Sequence, residues 1–68
     1  MNWSQLTIDQ QLGTLHAMRV FGGSFAEALS IAWIRADRTN DEILAKAFPN
    51  LINQYGPGSR FYESASKV

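Results

Sequence analysis

Cysteine is absent from this chain of 68 residues, and histidine occurs once. The first absence excludes disulfides and thiolate metal sites. The second leaves too few imidazoles for a histidine-based metal cage. An excess of charge is missing as well: six Lys and Arg balance six Asp and Glu, for a formal net charge of zero. General nucleic-acid binders draw their affinity from basic residues that neutralise phosphates, so this balance argues against one. It argues equally against a polybasic membrane anchor. No apolar run approaches the ~20 residues that a membrane span needs. The opening stretch MNWSQLTIDQQ has neither a basic region nor an apolar core, so it does not read as a secretory signal. The expectation is a soluble, intracellular protein with no cofactor, no metal and no catalytic set.

Small size adds a constraint. A domain of this length buries only ~60% of the surface of its unfolded chain, and its core supplies ~3–5 kcal/mol. With disulfides and metals excluded, self-association or binding to a larger partner is the support that remains.

What the chain does have is a density of helix signals. Thr7-Ile8-Asp9-Gln10 has the spacing of a capping box, and Asp9 suits the positive end of a helix dipole. A first helix is expected from about Ile8 to Val20, with Ile8, Leu12, Leu15 and Met18 as its core face and Gly22 as its stop. Ser24-Phe25-Ala26-Glu27 reads as a second capping box. It should open a helix from about Phe25 to Asp37, with Phe25, Ala28, Leu29, Ala32, Trp33 and Ala36 on one apolar stripe. Thr39 is the expected cap of a third helix carrying Ile43, Leu44, Ala47 and Phe48. Pro49 either bends that helix or starts a fourth, and Gly56-Pro57-Gly58 ends helical structure. Arg60, Phe61 and Tyr62 are expected to fold back on the body, with Trp3 stapling the first helix to it. No segment alternates as a strand does. The fold class expected is all-α: one compact domain of three to four short helices over residues 1–62, followed by a flexible tail over 63–68.

The motifs that carry chemistry are weak. The pair Gly22-Gly23 in VFGGSFAEAL could cradle a phosphate, but no strand precedes it and no lysine follows. It reads as a helix stop followed by a helix start. His16 lacks a cysteine or a motif-placed serine as partner, and reads as a boundary residue. Asp37, Asp41 and Glu42 cluster, but they fail the spacing of a calcium loop. Helices two and three around RADRTN have the lengths of a helix-turn-helix. However, Asp41 and Glu42 would face phosphates at the start of the recognition helix, where only Lys46 is basic.

Ile31 and Ile34 lie nearly opposite the main stripe of the second helix at 100° per residue. A helix apolar on two sides is either central in its domain or covered by something else. Both readings stay open for this pair. Trp33 and Arg35 adjoin it, and tryptophan and arginine are enriched among binding hot spots.

The stretches QLTIDQQLGTLHAMRVFGGSFAEAL, AWIRADRTN and AFPNLINQYGPGSRFY, which cover most of the chain, resemble small accessory proteins encoded by phages and prophages. That resemblance implies a setting, the cytoplasm of a bacterial host. It also implies a class of activity, since such proteins are often inhibitors of host enzymes, transcription factors or defence complexes, anti-CRISPR proteins among them. It carries no catalytic residue onto this chain. The combined expectation is a non-enzymatic protein that binds and inhibits a host or phage protein, or forms a homodimer. Ile31, Trp33, Ile34, Arg35 and Arg38 are its contact surface. The alternative is a small helix-turn-helix regulator that binds DNA.

Overall fold

The structure, a computed structural model, describes residues 2–67; Met1, and Val68 at the end of the expected tail, lie outside it. It is all-helical among the described residues, as expected. A short 3-10 turn, Trp3–Gln5, is followed by α1 (Ile8–Phe21), α2 (Gly23–Ile34), α3 (Arg38–Ala47), α4 (Pro49–Tyr55) and α5 (Arg60–Ala65).

Local chemistry explains most of the boundaries. The first capping box forms in full: Thr7 Oγ1 accepts from the Gln10 N–H at 3.1 Å, and Gln10 Oε1 accepts from the Thr7 N–H at 2.9 Å. Pro49 opens α4, where its missing N–H is not needed. The Gly56–Gly58 stretch separates α4 from α5. Three expected boundaries are corrected. The Ser24–Glu27 box does not form: α2 starts at Gly23 behind Gly22, with no side-chain cap, so Ser24 already sits inside the first turn. The cap of α3 is Asp37, whose carboxylate accepts from the Asn40 N–H at 2.8 Å, and not Thr39. α2 therefore ends at Ile34 rather than Asp37, leaving room for that turn. In the region expected as a tail, α5 runs on through Ala65, whose methyl is buried.

These caps give a paired expectation. Thr7→Ala should destabilise the domain by about 1 kcal/mol, the usual worth of a lost N-cap. Ser24→Ala should change it by less than ~0.5 kcal/mol, as surface substitutions without a specific role do. Urea unfolding of the two variants checks this; equal losses would contradict it.

The core gathers at the meeting of α1, α2 and α4 with the N-terminal turn and α5. Met18 and Thr14 are the largest side chains with essentially no exposure, and Leu15, Ala17, Ala26, Ile52 and Tyr55 pack around them. Thr14 satisfies its hydroxyl by donating to the Gln10 carbonyl at 2.8 Å. α5 rests close on α1: a Cβ added at Gly13 would come within 2.7 Å of the Tyr62 ring. Phe61 joins α5 to α1 and α4 through ring contacts with Phe21 (5.7 Å) and Tyr55 (5.2 Å).

The faces that α1 and α2 bury differ from the apolar stripes of their sequences. On α1, Leu15 and Met18 are inside as expected, but Ile8 (69% exposed) and Leu12 (45%) are not; Thr14 and Ala17 take the inner positions. On α2 the inner residues are Ala26, Ser30 and Trp33, while Phe25 is 64% exposed and Ala28 and Ala32 are also on the surface. Small side chains explain the choice. With only Gly22 between them, α1 and α2 must approach closely, and Ala26 and Ser30 on α2 permit it where Phe25 would hold them apart; on α1, Gly13 lets the Tyr62 ring of α5 close in.

Trp33 needs a correction of its own. Expected at a contact surface, it is 2% exposed. Its ring lies 4.9 Å from that of Trp3, tilted by 44°. Both indole N–H groups donate to Asp41 Oδ1, Trp3 at 3.0 Å and Trp33 at 2.7 Å. The Gln11 amide in turn donates to the Trp3 carbonyl at 3.0 Å. Trp3 thus staples the N-terminal turn to α1, as expected, and also to α2 and α3. The physical reason is that an indole can be buried only if its N–H finds an acceptor, and Asp41 supplies one for both.

Candidate functional site

The surface left over by this packing is the outer side of the α1–α2 pair. On α1, Asp9, Leu12, His16 and Arg19 recur at steps of three and four residues, share one stripe, and are all exposed. On α2, Glu27, Ile31, Ile34 and the capping residue Arg35 form a second exposed stripe. Between the two lies an open hollow of about 290 Å³, with Leu12, His16, Arg19, Ile31 and Ile34 around it and the buried Leu15 and Ser30 among its lining. A neighbouring hollow, also about 290 Å³, continues past Ile8, Leu12 and Ile34 toward Arg38. Ile8, Leu12, Ile31 and Ile34, the last 59% exposed, therefore form one apolar strip along the helix pair.

Of the residues expected at the contact surface, Ile31 and Ile34 meet on this strip, which answers the question their sequence positions raised: neither is core. Arg35 is exposed at the end of α2. Arg38 is exposed at the start of α3 and stands 3.9 Å from Glu42, an exposed pair of little energetic weight. Trp33 borders the second hollow but is buried and presents almost no surface to it. Ile8, Leu12, His16 and Arg19 are part of the face, and the sequence reading missed them in this role. A signal existed: Gly13, Thr14 and Ala17 make one side of α1 small, and small residues mark the side where another helix can approach closely.

His16 and Ser30 line the same hollow, but the Ser30 hydroxyl donates to the Glu27 carbonyl at 2.7 Å and makes no hydrogen bond to the imidazole. A nucleophile and its base need that bond. Among the described residues no three His, Asp or Glu side chains come together as a metal site. On α3, the candidate recognition helix of the DNA-binding alternative, the Asp41 carboxylate is turned to the two indoles, and Arg38, Glu42 and Lys46 leave a surface of mixed charge. No described helix is long and apolar enough to cross a membrane. No family model, no curated protein and no solved structure matches the chain.

Proposed function

We propose that this chain is a non-enzymatic protein that works by binding another protein through the outer face of α1 and α2. In the setting implied by its phage-like sequence, the partner is a host protein, such as a component of a defence complex, met in the bacterial cytoplasm. Binding would act by occluding a working surface of that partner. One observation carries this reading: four large aliphatic side chains, Ile8, Leu12, Ile31 and Ile34, stand together in water on a domain that needs every apolar contact it can make. Arg19 and Arg35 border the strip, and arginine is among the residues enriched at binding surfaces.

The test is Ile34→Asp. Ile34 is exposed, so helicity by circular dichroism and the unfolding midpoint should stay close to wild type. Capture of a host protein from bacterial lysate by the immobilised chain should be lost. Capture that survives the substitution, or a variant that unfolds, would refute this assignment of the face.

A further inference from the structure

The charges that frame the apolar strip are arranged in a particular order. On α1 the exposed stripe begins with Asp9 and ends with Arg19; on α2 it begins with Glu27 and ends with Arg35. Each stripe is thus acidic at its N-terminal end and basic at its C-terminal end, with Leu12 and His16 between them on α1 and Ile31 and Ile34 between them on α2. Among the described residues the one ion pair is Arg38–Glu42, so these four charges make none within the chain.

Such an order is self-complementary. Turned through a two-fold axis that crosses both helices near their middles, a second copy lays its α1 antiparallel on α1 and its α2 antiparallel on α2. Asp9 then meets the partner's Arg19, and Glu27 meets the partner's Arg35, each twice by symmetry. Ten residues of helix separate Asp9 from Arg19, about 15 Å at the α-helical rise. The same axis brings Leu12 against the partner's His16, Ile31 against the partner's Ile31, and Ile34 against the partner's Ala28. A closed pairing that uses one patch on both subunits is the commonest form of homo-oligomer.

Resting on the reading of this face as a contact surface, we infer that its resident occupant is a second copy of this chain. The protein forms an antiparallel two-fold dimer through α1 and α2, and this dimer must open before the face can dock on anything else. The size of the contact sets its strength. Two helices packed roughly 8–10 Å apart give a footprint only a few turns long and two helices wide. That falls below the ~800 Å² per partner of a standard stable interface, so the dimer belongs to the weak, exchanging class.

Sedimentation velocity of the purified chain, from micromolar to millimolar concentration, tests the inference. The wild type should shift from monomer to dimer across that range, and high salt should push the midpoint upward as the exposed pairs are screened. Arg19→Glu places like charges opposite each other at both ends of α1, and should weaken the dimer at least about tenfold. Adding Asp9→Arg to Arg19→Glu reverses both signs and should restore association. Both positions are exposed, and circular dichroism of each variant confirms that it is folded. A wild type that stays monomeric at millimolar concentration overturns the inference. So does an Arg19→Glu chain that dimerises unchanged, or a double swap that stays monomeric. None of these outcomes touches capture of a host protein by the same face, which is read separately through Ile34→Asp.

Discussion

Asp41→Ala is expected to remove about 3 kcal/mol of stability, because hydrogen bonds to a charged group contribute about 1.5–3 kcal/mol each and two are lost in a partly buried setting. For a domain of this size that corresponds to a fall of roughly 12–24 °C in melting temperature. It is also most of the ~3–5 kcal/mol that so small a core provides. The loss follows from geometry. Trp3 and Trp33 are both buried, and both indole N–H groups end on one carboxylate oxygen, Oδ1 of Asp41. Alanine leaves two buried donors without an acceptor and disconnects α3, which buries no residue of its own, from α2 and the N-terminal turn. Asp41→Asn retains the Oδ1 acceptor but not its charge, so it should cost about 1 kcal/mol, in line with an ordinary neutral hydrogen bond. Denaturant titration with the near-UV circular dichroism of the tryptophans as signal measures both variants. If Asp41→Ala unfolds within ~0.5 kcal/mol of wild type, the range of an inert surface change, the indoles are not held in this way.

Gly22→Ala should cost about 2–3 kcal/mol, the upper part of the range for forcing an atom into a packed site. A Cβ at this position would collide with the Met18 carbonyl, which already accepts the Gly22 N–H at 2.9 Å, and with the Ala26 methyl. Neither obstacle is the end of a flexible side chain, so α1 and α2 must separate. Gly23, next to it, is required for a different reason. Its φ is +77°, with open space where a side chain would go. Gly23→Ala should therefore cost ~1–2 kcal/mol, the strain of an L-residue in the left-handed region. Asparagine, which tolerates that region, should recover much of the loss at position 23. At position 22 it should recover nothing. Thermal unfolding of the four variants separates steric from conformational demand; asparagine performing alike at both sites would contradict the distinction.

How much of this could be foreseen differs from element to element. The Thr7–Gln10 box, the proline start of α4 and the glycine break after it depend on neighbours within four residues, and each is found where the local chemistry puts it. The second and third caps depended on a competition that local rules do not settle. The Gly22–Gly23 corner is so tight that α2 begins one residue before Ser24 can act. Asp37 outcompetes Thr39 because α2 stops early enough to free it. The strip of Ile8, Leu12, Ile31 and Ile34 was half legible: the isolation of Ile31 and Ile34 from their own helix stripe was visible, whereas Ile8 and Leu12 read as core, because the packing of α4 and α5 on the small side of α1, at Thr14 and Gly13, is not visible in the sequence.

Composition and spacing by themselves determined that this protein is helical, that it is built without disulfides, and that Ile31 and Ile34 lie off the main stripe of their helix. Those properties follow from backbone hydrogen bonding and from side chains a turn or less apart. Only the tertiary structure decided which faces are inside. It placed Trp33 beside Trp3 and Asp41, residues distant in the chain, and so moved an expected contact residue into the core. It turned α1 so that Leu12, His16 and Arg19 face outward beside the two isoleucines. An amphipathic helix with apolar residues on more than one side has several faces it could bury, and the choice among them falls to the closest approach its neighbours allow.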